Sequence, residues 1–189
     1  MDKTTKNRLI DAASDLLDGG GQSAVTIRAV AEVVGFSHNT PYRHFRDRDA
    51  LMAAIAERDF AALSRTFRTG DPSGHARDAL RAALVAVIAY AREHPARYRL
   101  LFSEPDIATE GGSMEVAALD AFQAFGALVA RCQETDKTLT IETAKLAGLI
   151  YATLHGSIDL ELGGRARKRK GLGDIEATVN LLLNFIWTT

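Results

Sequence analysis

The sequence contains a single cysteine, Cys132, among its 189 residues. One cysteine cannot form a disulfide within the chain and cannot supply a zinc site built from several thiolates, so neither kind of cross-link stabilises this fold. A chain of this kind fits a reducing compartment. Because cysteines outside disulfides are among the most buried residues, we expect Cys132 to be a thiol in the core.

Long hydrophobic runs are also missing. The longest apolar stretch, Ala82 to Ala91, falls well short of the roughly 20 residues that span a bilayer. The N-terminal residues Met1 to Lys6 lead directly into a charged amphipathic segment, without the apolar stretch and cleavage site of a signal peptide. We therefore expect a cytoplasmic protein with no membrane partner.

An excess of either charge is absent too, since the net charge is −1. Total charge therefore points to no polyanionic partner, and a nucleic-acid hypothesis must rest on local placement. The segment from Ser37 to Arg48 combines three arginines with His38 and His44 against one acid, Asp47. This segment forms a basic strip on a nearly neutral protein.

The spacing of apolar residues predicts an all-α fold. Apolar residues recur at three- and four-residue steps along most of the chain, and no alternating β pattern of useful length is present. With 47% hydrophobic residues, the chain can bury a core and hold one domain or two small ones. Beyond the first 45 residues we predict a helix over residues 48–68 with Asp47 as its N-cap. Further helices are predicted over residues 75–93, a short stretch after Pro95, 113–135, 138–162 and 174–187, with a linker at 69–74.

The pattern of apolar and capping residues in the first 45 positions predicts a helix-turn-helix. A first amphipathic helix ends at Gly19-Gly20-Gly21, and a short second helix follows with Thr26 as N-cap and Gly35 as left-handed C-cap. Gly35-Phe36-Ser37 then forms a tight turn before the polar stretch His38 to Phe45. Two short helices joined by a glycine-containing turn are typical of DNA-binding modules that place the second helix in the major groove.

Pro41 complicates the predicted reading helix. If Ser37 is the N-cap, Pro41 is the fourth helical residue, loses the bond to the Ser37 carbonyl and crowds it. If Thr40 is the cap, Pro41 occupies the favourable first helical position. Both alternatives remain open from the sequence, and with them the base contacts from His38 to Thr40.

The segments Thr26 to Ser37 and Pro41 to Leu51 resemble the signature of the TetR family of regulators. The resemblance implies a DNA-binding domain over residues 1–50, with three helices, and a ligand-binding and dimerisation domain over 51–189. It also implies a regulator, in expectation a repressor, that binds palindromic operator DNA as a homodimer. Matching position by position, the family pattern implies DNA contacts at Thr26, Arg28, Ser37, His38, Asn39, Thr40, Tyr42, Arg43, His44 and Arg48.

Individual roles follow from the same resemblance and from side-chain chemistry. Thr26 and Arg28 match phosphate-binding positions at a helix N-terminus, where backbone N–H groups also favour an anion. The residues from Ser37 to Thr40 match the start of the recognition helix, Tyr42 and His44 match backbone contacts, and Arg48 matches a phosphate-binding lysine. The alternative for Tyr42 and Phe45 is that they only fill the core, which we favour for Phe45.

The C-terminal half resembles the WHG type of TetR C-terminal domain at His94 to Phe102 and at Tyr151 to Gly156, with Tyr151 where that type often has tryptophan. The resemblance implies a small-molecule effector in an apolar cavity, with no cofactor. Apolar residues on both sides of the last two helices, among them Leu181 and Phe185, predict that a two-fold partner covers one side. Candidate cavity residues are Tyr90, Phe102, Phe122, Phe125, Tyr151 and His155, although for each one taken singly a place in the core is the favoured alternative.

Two other classes of function are weighed against a regulator. An enzyme finds little support, because the chain has no Gly-x-Ser-x-Gly elbow, phosphate loop or metal-binding helix motif. His155, Ser157 and Asp159 have the residue types of a triad, but on one continuous helix they point around the axis. A helical adaptor that does not bind DNA is the third possibility. The basic run Arg165 to Lys170 is interpreted as a solvated, mobile loop. The family resemblance implies that this run lies far from the DNA-binding end, so it is not counted among the expected DNA contacts. Lys3, Lys6 and Arg8 are interpreted as a frayed terminus or a DNA-binding arm.

Overall fold

The computed structural model describes residues 3–69, 75–102, 112–134 and 140–187. Within these ranges the chain forms α-helices and short 3-10 turns and no strand, so the all-α prediction is confirmed. Residues 70–74 of the predicted linker lie outside the described residues. The helices are α1 (Lys3–Gly20), α2 (Ile27–Val34), α3 (Arg48–Arg68), α4 (Ala76–Glu93), α5 (Pro95–Phe102), α6 (Ser113–Glu134), α7 (Thr143–Leu162) and α8 (Ile175–Ile186).

Helix ends follow the capping residues that the sequence provides. Asp47 accepts a bond of 2.8 Å from the N–H of Ala50 and so caps α3, as predicted. Asp174 caps α8 in the same way through the N–H of Ala177, at 3.0 Å. The start of α7 differs, since this helix begins at Thr143 rather than at residue 138. Thr140 and Ile141 are β-branched and so disfavour an earlier start of the helix.

The chain divides into two compact units. The first comprises Met1–Ala61 with His94–Leu119, and the second comprises Ala62–Glu93 with Asp120–Thr189. The boundary predicted at residue 50 divides the chain by function and stays a prediction. The compact units differ from it because α5 packs with α1 in the first unit, although 74 residues separate the end of α1 from the start of α5.

An ion cluster around the buried Asp59 carboxylate ties three elements of the first unit together. Arg97 on α5 lies 2.8 Å from the Asp18 carboxylate on α1 and 3.3 Å from that of Asp59 on α3. Nδ1 of His94 lies 2.8 Å from the same Asp18. Asp59 has a side chain that is only 7% exposed, and Arg97 one that is 13% exposed. The cluster fixes where α1 sits on α3 and α5.

The second unit has its own apolar core and its own polar links. Arg68 on α3 donates to both carboxylate oxygens of Asp120 on α6, at 2.6 and 2.9 Å. The Arg68 guanidinium, together with the Ser64 hydroxyl, lowers the pKa of Asp120 to about 2. Cys132 is fully buried, and burial raises the pKa of its thiol to about 11, so the predicted core thiol is confirmed.

Helix α6 is the one described helix that is long and apolar enough to cross a membrane by length and composition, with a mean hydropathy of 1.3. A core helix of a globular protein passes the same test. In the second unit, α6 buries Ala124, Phe125, Leu128, Val129 and Cys132.

Candidate nucleic-acid interface

Helix α2 has both predicted caps. The hydroxyl of Thr26 accepts a bond of 3.0 Å from the N–H of Ala29. At the other end Gly35 is left-handed, with φ 73°, and the N–H of Phe36 donates to the Ala31 carbonyl at 2.9 Å. A side chain at this positive φ would be strained, so Gly35 is what allows the chain to turn immediately after α2.

The predicted third helix is a single 3-10 turn. Thr40 donates its N–H to the Ser37 carbonyl at 2.9 Å, and the 3-10 turn Pro41–Arg43 follows with Thr40 as its N-cap. Pro41 therefore takes the first helical position, which decides between the two alternatives left open by the sequence. The physical reason is that proline has no N–H to give to the Ser37 carbonyl, and the Thr40 N–H uses that carbonyl instead.

Two buried side chains, one in this turn and one shortly after it, hold the turn in place. Pro41 is buried, and Phe45 is 4% exposed, as favoured from the sequence. Tyr42 is 58% exposed, so the alternative that it only fills the core is wrong. The aromatic ring of Tyr42 therefore remains available to a partner.

The polar residues around this turn form one exposed surface. Ser37, His38, Asn39 and Arg43 are exposed, while Thr40 and His44 are partly buried. The hydroxyls of Ser37 and Thr40 bond to each other at 2.9 Å. Arg28 is exposed on the first turn of α2, next to the cap at Thr26. The structure thus exposes donors and acceptors of the kind that read base edges and phosphates.

The N-terminal segment is helical from Lys3, and two of its cations pack on the helix-turn-helix. Arg8 donates to the Val34 carbonyl at 3.2 Å and lies over the ring of Phe36, 4.7 Å from its centroid. Lys6 lies 5.8 Å from the centroid of Phe45. A cation at the C-terminal end of α2 also complements its dipole. Lys6 and Arg8 therefore form neither a frayed terminus nor a free arm.

Arg48 binds two backbone carbonyls, a role that the family pattern does not itself imply. Its Nε donates to the Val25 carbonyl at 2.8 Å and its Nη2 to the Gln22 carbonyl at 2.7 Å. These bonds tie the start of α3 to the connection between α1 and α2. No sequence pattern signals this role, because the two carbonyls belong to the backbone 23 and 26 residues earlier. A phosphate contact by Arg48 stays a prediction.

In the second unit, four of the six candidate cavity residues lie together. The ring centroid of Phe122 is 5.5 Å from that of Tyr151 and 6.1 Å from that of Phe125, and Tyr151 lies 4.1 Å from the ring of His155. Burial lowers the pKa of His155 to about 4 and raises that of Tyr151. His155 is therefore neutral at pH 7.

The other two candidates lie elsewhere. Phe102 belongs to the first unit, where its ring packs 5.5 Å from Phe60 and 4.9 Å from Tyr98. Tyr90 is half-buried on α4. Among the residues in the described ranges, no group of three or more His, Cys, Asp or Glu side chains could hold a metal ion.

The second unit also has an open groove of about 290 Å³. None of the six candidate cavity residues lines it. Its lining residues are Phe67, Arg68, Gln123, Ala124, Ala127, Leu128 and Arg131.

Helices α7 and α8 expose apolar side chains on the outside of the second unit. Leu181 is 58% exposed and Phe185 73% exposed on α8, whereas Ile175, Val179 and Leu183 of the same helix are buried. On α7, Leu149 is 49% exposed. A side-chain atom added at Gly156 would meet nothing within 4 Å, so the surface beside it is open in the single chain. The two-sided pattern predicted for α8 is confirmed.

Comparison with known proteins identifies the family. The family described as "Bacterial regulatory proteins, tetR family" matches residues 9–55, and "Tetracyclin repressor-like, C-terminal domain" matches residues 80–186. The helix-turn-helix and the C-terminal helices thus match separately and in the expected order. The chain belongs to the TetR family of transcriptional regulators, and the family is one of regulators rather than enzymes.

Curated relatives match over part of their length. The tetracycline repressor protein class A from transposon 1721 of Escherichia coli is 42% identical over 57 residues, which are 30% of this chain and 26% of that protein. An HTH-type transcriptional repressor of Mycobacterium tuberculosis is 29% identical over 89 residues, 43% of this chain and 48% of that protein. The chain thus aligns with less than half the length of either repressor.

Solved structures share the whole fold. A protein of unknown function from Rhodococcus sp. RHA1 has a TM-score of 0.79 at 24% identity, covering 99% of this chain and 95% of that one. The fatty acid degradation regulator FadR of Bacillus halodurans has a TM-score of 0.74 at 12% identity, covering 98% and 96%. At these identities the likeness concerns the fold alone.

Proposed function

We propose that this protein is a repressor that binds a palindromic operator as a homodimer and is released by a small molecule bound in its second unit. The observation that carries the proposal is the exposed polar surface around the turn Pro41–Arg43, held by the buried Pro41 and Phe45. A DNA-reading element needs this division, since its inner side anchors it and its outer side reaches the groove.

The DNA contacts are proposed in two groups. Phosphates are bound by Arg28 and by the N-terminal backbone of α2 beyond the Thr26 cap, with Tyr42 and His44 as further backbone contacts. Base edges are read by His38, Asn39 and Arg43, since arginine can bond guanine and asparagine can bond adenine through two hydrogen bonds each. Ser37 and Thr40 bond to each other and so contribute mainly by shaping the turn. Arg48 acts chiefly by holding the helix-turn-helix to α3.

An electrophoretic shift with the DNA upstream of the protein's own gene tests this proposal. We expect binding that weakens steeply between about 50 and about 200 mM salt. Arg43→Ala weakens it about 10- to 100-fold, the loss expected for one base-reading arginine. Lys145→Ala is the control, because this 78% exposed cation pairs with Glu142 in the second unit. A folded dimer that gives no shift at low salt contradicts the proposal and leaves the adaptor alternative.

The homodimer is proposed from the exposed apolar surface of α7 and α8. A two-fold partner that presents the same surface would cover Leu149, Leu181 and Phe185 on both chains. A homodimer also carries two reading elements, which suits a palindrome whose half-sites lie one helical turn of duplex apart, roughly 34–36 Å. A cytoplasmic location follows as part of the same proposal, because the operator lies there.

The effector is proposed to be a small, neutral, apolar molecule that contacts the aromatic group of Phe122, Tyr151 and His155. Neutral His155 can donate or accept one hydrogen bond there without adding a charge. Helix α3 begins in the first unit and ends in the second, so a ligand that favours one position of α3 can bias the helix-turn-helix.

A ligand screen checks this coupling. We expect a compound that raises the melting temperature of the wild type to weaken operator binding by about 5- to 150-fold. Phe122→Ala removes part of the aromatic group and reduces both effects together. A compound that raises the melting temperature and leaves operator affinity unchanged would show that binding and release are not coupled.

A further inference from the structure

The loop between α7 and α8 holds five cations in the six residues from Arg165 to Lys170. Arg165 pairs with Asp159 at 2.6 Å. The other four, Arg167, Lys168, Arg169 and Lys170, are exposed, and none of them pairs with a carboxylate of the described residues. We call these four residues the basic loop. It presents four positive charges to solvent on a chain whose net charge is −1.

The acidic residues next to the basic loop are already engaged. Glu161 and Glu176 both bind Arg92, at 2.7 and 2.8 Å. Asp174 accepts the bond that caps α8, and Asp159 binds Arg165. Each of these carboxylates has a structural partner, and none forms an ion pair with the basic loop. The six cations in this region, which are the basic loop with Arg92 and Arg165, outnumber the four carboxylates, so the local net charge is positive.

Hydrogen bonds hold the backbone of the basic loop, while its four cationic side chains are exposed to solvent. Before it, Ala166 donates to the Leu160 carbonyl at 2.9 Å, and after it Gly171 turns with φ 72° and donates to the Lys168 carbonyl at 2.9 Å. A side-chain atom added at Gly173 would collide with Cγ of Lys168, so the chain approaches itself closely here. A backbone that is already held in this way loses less conformational entropy when the loop binds a partner.

We propose that the basic loop is a second DNA-binding surface, which contacts the phosphodiester backbone of duplex DNA without reading sequence. Four adjacent cations release condensed counterions from a polyanion, and this release supplies the free energy of non-specific binding. The loop exposes no aromatic or large apolar side chain, since Leu172 is half-buried. It therefore lacks the apolar anchors typical of a membrane-binding segment or of the core of a protein interface.

The surface is separate from the proposed operator site. The basic loop lies in the second unit, and the helix-turn-helix lies in the first.

Binding to a random-sequence duplex, measured by fluorescence anisotropy between about 50 and about 200 mM salt, tests the proposal. All proteins carry Arg28→Ala and Arg43→Ala, which weaken the helix-turn-helix contribution. In this background, the double change Arg169→Gln with Lys170→Gln makes the slope of log affinity against log salt less steep by about 2. Each cation removed leaves one phosphate without neutralisation and reduces the steepness by about one. Glutamine keeps the aliphatic stem, and thermal unfolding of each variant checks the fold.

The matched control removes two other cations of the second unit, through Arg65→Gln with Lys145→Gln. Both are exposed and lie outside the basic loop, so total charge changes equally while the slope stays unchanged. Equal slopes for the two double variants overturn the proposal. Loop-dependent binding to phosphatidylserine-containing vesicles, without loop-dependent binding to the duplex, also overturns it. If the wild type gives no operator shift while the Arg28→Ala, Arg43→Ala background still shows the loop-dependent slope, this surface is supported and the proposed repressor is contradicted.

Discussion

Replacing Arg97 with methionine lowers the free energy of unfolding by about 3–5 kcal/mol, the cost of removing one partner of a buried ion pair. The Asp59 carboxylate is 7% exposed, and the variant deprives it of the guanidinium at 3.3 Å. The Nε of Arg58 stays 3.8 Å from Asp59, a longer and more exposed pairing. Asp18 keeps His94 at 2.8 Å, so the effect falls mainly on Asp59.

Guanidinium-induced unfolding followed by circular dichroism measures this effect. Arg165→Met is the matched control, because the Arg165–Asp159 pair is more than half exposed on both sides and such pairs contribute about 0–1 kcal/mol. Adding Asp59→Asn to Arg97→Met restores part of the stability, since a neutral amide costs less to bury than a carboxylate. Equal destabilisation by Arg97→Met and Arg165→Met would show that burial does not strengthen the cluster.

The double variant Leu181→Glu with Phe185→Glu converts the proposed dimer into a monomer. A buried leucine or phenylalanine contributes about 1.5–3 kcal/mol, and each chain loses two. The change also brings four carboxylates together across the two-fold axis, where like charges repel. Operator affinity falls by about 10²- to 10⁴-fold, because the second half-site loses its linked partner.

Sedimentation velocity gives the oligomeric state, and the operator shift gives the affinity. Val116→Glu with Leu119→Glu is the matched control, since these residues of α6 are 61% and 55% exposed and lie outside the proposed dimer surface. The control variant remains a dimer and keeps its operator affinity. If both double variants sediment as the wild type does, α7 and α8 do not form the interface.

The local structure of the helix-turn-helix was predictable because it depends on neighbours in sequence. Thr26, Gly35 and Asp47 are capping residues whose partners lie within a few positions, and each has the predicted role. The split between buried Val179 and exposed Leu181 on α8 also follows from helical periodicity. Because of Pro41, the sequence left open whether the N-cap of the turn is Ser37 or Thr40. In the structure Thr40 is the N-cap, and the ring of Pro41 is buried in the first unit.

Contacts between residues far apart in the chain were not predictable. Arg48 fits a phosphate-binding pattern in sequence, yet it donates to two backbone carbonyls, and no side-chain pattern signals a backbone acceptor. Arg97 and Asp18 meet only because α5 packs on α1. The charges of the basic loop are visible in sequence, but whether nearby acids cancel them depends on Arg92, which lies 69 positions before Glu161.

The sequence by itself determined most of the helices, the caps of α2 and α3, the family and the apolar stripes, because each depends on residue type and short-range spacing. Only the tertiary structure decided which of these side chains remain available. Long-range packing gives Arg8 and Arg48 backbone carbonyls as partners and buries Asp59 beside Arg97. The same packing leaves Arg28, Arg43 and the basic loop exposed to a partner.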